Sequence, residues 1–335
     1  MRFDTYLVDD IAGAAGQAQR AEAAGYAGLF TREARHDGFL PLVAAAGATG
    51  RIELGTAVAI AFARTPMTLA HLGHDMQILS GGRFVLGLGS QIRPHIEKRY
   101  SMPWSRPADR MRELVLALRA IWDCWNGGAP LDFRGEFYTH TLMTPMFVPP
   151  ASPHGPPRVW VAGVGRRMVG VAGEVADGLV CHPLVSRRYL AEALLPALHA
   201  GARAAGRDPA GLEVAATAMV VTGRDEAEMA AAVTATRLQV AFYASTPAYK
   251  PVLDLHGWGD LQPVLRDLSK QGDWGAMGAA VPDELLRTVA VVAEPGAVGP
   301  ALEERFGGLA DRVGISSTTG GTRHALDDLV RSMSR

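Results

Sequence analysis

Residues 55–89, GTAVAIAFARTPMTLAHLGHDMQILSGGRFVLGLG, read as strand, helix, strand with almost no slack between them. Ile52 to Ile60 is a β-branched and apolar run without alternation, the pattern of a parallel strand buried on both faces. Thr65-Pro66 predicts an N-cap followed by a first-turn proline. Leu69, Leu72, Met76 and Leu79 follow at helical spacing, and Ser80-Gly81-Gly82 ends the helix. Phe84 to Leu88 is the next buried strand, where Gly87 and Gly89 permit close backbone approach. Parallel βαβ units of this kind imply an α/β barrel or a doubly wound sheet.

Working outward, the same alternation recurs. Phe3 to Val8 is a first strand, followed by an alanine-rich helix from about Ala12 to Ala24. Tyr26 to Thr31 is the second strand, and Leu40 to Thr49 a further helix. Residues 90–157 form an irregular, proline-broken interval with one amphipathic helix, carrying Met111, Leu114, Val115, Leu118, Ile121 and Trp122 on one face. Arg158 to Ala162, Asp177 to Cys181 and Glu213 to Val221 are the fifth, sixth and seventh strands. A mainly helical interval from about Thr222 to Ala310 precedes the eighth strand, Arg312 to Ser317, and a helix over Arg323–Met333. Eight strands alternating with helices predict a (β/α)8 TIM barrel with insertions after strands four and seven, in one domain over 1–335. A Rossmann sheet is the alternative, weakened because no GxGxxG follows the first strand.

Composition narrows the function classes. The 335 residues are 48% hydrophobic and 20% charged, as in an ordinary globular chain, and a formal net charge of −1 gives no general attraction to nucleic acid or a membrane surface. Cys124 and Cys181 lie far apart without CxxC spacing, which argues against a disulfide framework or a zinc site and fits a reducing cytoplasm. Asp4, Asp9 and Asp10 interrupt any signal-peptide pattern, and no uncharged apolar stretch reaches the length of a membrane span.

In a barrel of this type the chemistry belongs in the loops after the strands. His36 and Asp37 follow strand two, Arg64 follows strand three, and Gln91, Arg93, His95 and Lys98 follow strand four. Arg166 and Arg167 follow strand five, and His182 follows strand six. A rim gathering cations and three histidines suits an anionic ligand. Gly163-Val164-Gly165 sits between a strand and a helix, where backbone N–H groups make a phosphate seat and Arg166 or Arg167 adds charge. A tight turn with solvated arginines is the alternative. His36 is a candidate proton donor, or else a structural histidine bonded to Asp37 or Glu33. His95 reads as a ligand contact or as a helix-start residue. His182, beside Pro183, reads as structural. His71 and His74 read as ordinary helix residues away from the rim. No HExxH, HxH or clustered-carboxylate pattern supports a metal. Aromatics in the two intervals, including Trp104, Tyr138, Tyr243 and Tyr249, read mostly as packing for loops over the barrel mouth.

The run LGTAVAIAFARTPMTLA…LSGGRFVLGLGS, with EARHDGF at 33–39, AGVGRRM at 162–168 and AGEVADG at 172–178, resembles the bacterial-luciferase-like superfamily of flavin- and deazaflavin-dependent enzymes. FYASTPAY at 242–249 and HGW at 256–258 resemble a branch expected to use coenzyme F420, an 8-hydroxy-5-deazaflavin. The resemblance implies a cofactor cleft at the C-terminal face of the barrel. It implies a non-prolyl cis peptide at Ala57-Val58 supporting the central ring, and His36 at an active-site histidine position. It places a phosphate loop at Gly163, Val164, Gly165 and Arg166, and a cofactor-touching loop from Gly89 and Ser90 through Gln91 to His95. Relatives that oxidise a sugar phosphate carry a glutamate where this chain has Gln91-Ile92, and a tryptophan where it has Leu40. That substrate and its proton relay are therefore not carried over. The expectation is hydride transfer between C5 of the deazaflavin and a small-molecule substrate, with His36 handling a proton. The alternatives are an FMN-dependent monooxygenase fed by a reductase, and a barrel that binds flavin without turnover. A homodimer is expected, and a partner that reduces F420 or flavin is compatible with either enzyme reading.

Overall fold

The first strand, Arg2–Tyr6, pairs in parallel with Gly28–Thr31 on one side and with Arg312–Ser317 on the other, so the two ends of the chain close the sheet. Between them run Glu53–Thr56, Phe84–Gly89, Arg158–Gly163, Gly178–Cys181 and Glu213–Val221, each parallel to its neighbours. The result is a closed eight-stranded (β/α)8 barrel. The computed structural model describes residues 1–8, 10–317, 326–327 and 330–331. The helix expected over Arg323–Met333 falls largely outside the described residues; within it, Leu326, Asp327, Val330 and Arg331 are helical.

The deciding stretch folds as expected except at one point. Thr65 caps the helix Pro66–Leu79 by accepting from the Thr68 N–H, with Pro66 in the first turn. The strand expected over Ile52–Ile60 is interrupted. Glu53–Thr56 ends at a cis Ala57-Val58 bond, and Ala59–Ile60 resumes as a short strand on Leu88 and Gly89. A run of apolar residues carries no signal for such a break, whereas the partner strand accommodates it. Gly87 and Gly89 bring the two backbones close: a Cβ on Gly87 would fall 1.9 Å from the Thr56 carbonyl oxygen, and one on Gly89 2.4 Å from a Val58 methyl.

The two intervals are more regular than their sequence. The first holds the helices Arg93–Lys98 and Pro107–Gly127 and a hairpin of Phe133–Arg134 with Thr139–His140. Pro107–Gly127 packs between Pro66–Leu79 and Arg166–Val175, so it is a member of the barrel's outer helical layer. The second interval packs a core of its own, in which Ala232, Val240, Leu265, Met277 and Leu285 meet Met219 and Val221 at the end of strand seven. It also contributes Ala290–Val292, a short strand that extends beside Met219–Val221. Three apolar residues between helices gave no strand signal.

Inside the barrel the side chains alternate with period two and stack in layers. Tyr6, Phe30, Val85, Trp160, Val180 and Ala215 form the middle of the interior. Below them, toward the strand N-termini, the buried Arg312 guanidinium takes both oxygens of Asp4 at 2.6 Å, and reaches Glu53 and Glu213. It also lies 4.9 Å from the Trp160 ring and 5.3 Å from the Phe30 ring. The floor of the barrel is an ion cluster and the middle is apolar. The layer above faces the mouth.

Candidate active site

That uppermost layer divides in two. Following the alternation upward from Gly55, Val85 and Trp160 gives Ala57, Gly87, Gly89 and Ala162. Ala57, Val58 and Ala162 pack onto the apolar middle of the barrel. Small residues here leave a flat shelf, and Thr56 Oγ1 donates to the Gly87 carbonyl at 2.7 Å to tie its two strands together. Following it upward from Phe30 and Val180 gives Arg32 and His182, which follow the two strands flanking the shelf, with the Arg32 guanidinium over the Tyr6 ring.

Each expected site residue can now be placed. His36 lies exposed in the loop between strand two and the helix Leu40–Ala48. The structural bond to Glu33 or Asp37 considered for it is not formed, because Arg64 claims both carboxylates. Its Nη1 donates to Glu33 Oε2 at 2.7 Å and its Nη2 to Glu33 Oε1 at 2.8 Å and Asp37 Oδ2 at 2.9 Å. Burial disfavours charge on Arg64, but Glu33 and Asp37 outweigh it and hold the guanidinium above its ordinary pKa. The other Asp37 oxygen accepts from the Phe39 and Leu40 N–H groups at the start of that helix. Arg99 donates to the Ala34 carbonyl. The His36 loop is therefore fastened on both sides, and Asp37 and Arg64 form its brace.

After strand four, Gln91 adopts φ 58°, uncommon for a residue with a Cβ. Its side-chain oxygen accepts from the Ile92 N–H, and its carbonyl accepts from Ser90 Oγ. His95 is half-buried in the first turn of the helix Arg93–Lys98, directly after Pro94. Gly163, Val164 and Gly165 lead into the helix Arg166–Val175, whose first turn has no side-chain cap. The Tyr189 hydroxyl donates to the Val164 carbonyl at 3.0 Å, and burial raises the Tyr189 pKa against the pull of Arg166. Arg167 points its charge at Asp109 instead.

The rim is thus less cationic than its sequence. Arg64, Arg93 and Arg167 are all paired with carboxylates, while Arg166 and Arg32 form no ion pair with a described residue. Arg32 was missed because it falls one residue past the apolar run; extending the strand alternation from Phe30 would have pointed it inward. His182 belongs to the mouth as well. Its ring lies 4.2 Å from that of Tyr249 and 4.6 Å from that of Tyr243. Its Nδ1 accepts from the Leu184 N–H at 3.1 Å. Burial, reinforced by Arg32, pushes its pKa down to about 3, so the ring is neutral with its proton on Nε2. Among the described residues there is no group of histidine, cysteine and carboxylate side chains arranged to hold a metal, and no helix long and apolar enough to cross a membrane.

The closed barrel thus carries a cis-peptide shelf and an uncapped helix at its mouth. The family model described as luciferase-like monooxygenase matches residues 3–312, and the chain belongs to that family of enzymes. An uncharacterized protein of Mycobacterium tuberculosis is 54% identical over 313 residues, 93% of this chain and 92% of that one. A phthiodiolone/phenolphthiodiolone dimycocerosates ketoreductase of Mycobacterium kansasii is 34% identical over 53% of this chain and 47% of its own. Among solved structures, the coenzyme F420-dependent tetrahydromethanopterin reductase of Methanopyrus kandleri superposes with a TM-score of 0.80 at 20% identity, over 98% of this chain and 97% of that one. An F420-dependent secondary alcohol dehydrogenase gives 0.75 at 18% identity, with the same coverage. At these identities the superpositions establish the fold.

Proposed function

We propose that the protein is a coenzyme F420-dependent oxidoreductase, moving a hydride between C5 of the deazaflavin and a carbon of a small organic substrate. The observation that carries this reading is the shelf. Ala57, Val58 and Ala162 present a small apolar face that would seat a flat ring, and the Gly163–Arg166 turn offers backbone N–H groups and one unpaired cation to an anionic tail. A deazaflavin bound there supplies two-electron hydride chemistry. Ser90, Gln91 and His95, after strand four, would line the ring, and Asp37 and Arg64 hold the His36 loop in place. His36, braced between them and free of competing hydrogen bonds with described residues, exchanges a proton with the substrate. Tyr243 and Tyr249 from the second interval pack against His182 at the mouth and shield that side from water. The F420 named for both superposed enzymes favours this cofactor.

The family model's own description favours a second reading, an FMN-dependent monooxygenase supplied with reduced flavin by a separate reductase. Parallel fluorescence titrations of the purified protein with F420 and FMN separate the two. Micromolar or tighter F420 binding, with FMN much weaker, is the expected result. His36→Ala should keep that affinity within about twofold while lowering turnover on a substrate by about a hundredfold or more. Preference for FMN replaces the reading with the monooxygenase, and binding of neither removes the cofactor assignment.

A further inference from the structure

Arg32 has no use in the reading above, and its surroundings give it one. It continues the inward-facing series of strand two, and its guanidinium carbon sits 3.9 Å above the centre of the Tyr6 ring. The two acids nearest it in sequence, Glu33 and Asp37, are both held by Arg64 on the other side of the strand. Arg32 is exposed at the mouth, and no carboxylate of a described residue pairs with it, in contrast to the fully buried Arg312 of the barrel floor. Stacking on Tyr6 occupies the guanidinium's face and leaves most of the donors along its edge unspent. Across the mouth stands His182, flanked by Tyr243 and Tyr249 and fixed by Leu184 so that its Nε2–H is a second donor. That Nε2 makes no hydrogen bond with a described residue.

We propose that Arg32 sets substrate specificity by binding a carboxylate carried by a small planar substrate, with the His182 Nε2–H as a second donor and the tyrosine rings as walls. The inference rests on the redox reading only in calling the bound molecule a substrate. A single planar guanidinium matches the two oxygens of a carboxylate, whereas a phosphate dianion is better served by the uncapped helix and Arg166 after strand five.

The test uses the full-length protein without cofactor and two probes of the same shape, benzoate and benzyl alcohol, followed by ligand-observed NMR. Wild type should bind benzoate at least about tenfold more tightly than the alcohol. Arg32→Gln should remove that preference, and Arg32→Lys should keep part of it, since the charge survives while the fork is lost. Arg166→Gln should leave benzoate binding unchanged but weaken inorganic phosphate, a pattern that Arg32→Gln should reverse. F420 titrated into Arg32→Gln should bind as it does to wild type. Equal binding of the two probes to wild type, or an undiminished benzoate preference in Arg32→Gln, overturns the proposal. So does loss of F420 affinity in Arg32→Gln, because Arg32 would then serve the cofactor. If wild type binds no flavin of either kind, the redox reading fails while the benzoate comparison still decides the fate of the carboxylate site.

Discussion

His182 and Gln91 show what single residues add at the mouth. Gln91 spends its side chain on the next N–H and holds a left-handed backbone, an arrangement that no residue type or spacing announces. His182 stood out in the sequence as a histidine after a strand, and its proline neighbour pointed to a structural role. Its carbonyl-end position is structural in that Nδ1 fixes the turn to Leu184, yet the same bond frees Nε2–H for the mouth. The pH consequence follows from the depressed value of about 3 against an ordinary 6.5. Between those values the unfolded chain takes up a proton that the folded protein refuses, so this group withdraws stability as pH falls through that window and leaves it unaffected above. In labelled-histidine NMR, the His182 ring should stay in the neutral Nε2–H form from pH 8 to about pH 5. Arg32→Gln should move its titration upward, because one of the two causes of the depression is gone. A His182 that titrates near 6.5 in the wild-type protein would show the mouth to be wetter than its packing implies.

At the scale of elements, strands three and four decide whether the shelf exists. Their order and the helix between them were legible because the apolar run, the Thr65-Pro66 cap and the closing glycines agree with one another. The cis bond was not legible from pattern and came only through family resemblance, whereas the two glycines facing it were visible as a place of close approach. Their roles differ measurably. A methyl on Gly87 meets the backbone carbonyl of Thr56, which can retreat only if the strands part and the Thr56 hydroxyl bond is lost. A methyl on Gly89 meets the end of the Val58 side chain, which can turn away. Gly87→Ala should therefore cost about 1–3 kcal/mol in urea unfolding, with Gly89→Ala clearly milder. Both should weaken the flavin that binds wild type if the shelf is its seat. Equal destabilisation by the two would mean that the strand pair yields more easily than its hydrogen bonding indicates.

For the whole molecule, the repeated strand-helix alternation was enough to reach the barrel, since each unit needs its neighbours to cover both faces of a parallel strand. The charges were read less well. A rim of cations was counted from loops, but whether a cation is free depends on partners far away in sequence, as with Arg64 and Glu33 or Arg167 and Asp109. The floor is the extreme case: Arg312 and Asp4 are 308 positions apart, and nothing local to either marks them as a pair. Burial works against the Glu53 carboxylate too, but Arg312 and Arg158 overcome it and keep its pKa below the usual range. Arg312→Met should leave Glu53 and Glu213 with Arg158 and Arg2, while Asp4 loses its guanidinium in a dry interior. Stability should fall by about 3–5 kcal/mol, as when one member of a buried pair is removed. Adding Asp4→Leu should restore a large part of that loss, since the stranded carboxylate, more than the missing attraction, carries the cost. Flavin affinity should be unchanged in both variants, because the floor and the mouth lie at opposite ends of the barrel with the apolar layer between them. Loss of less than about 1 kcal/mol in Arg312→Met would show that water reaches the floor and solvates Asp4 there.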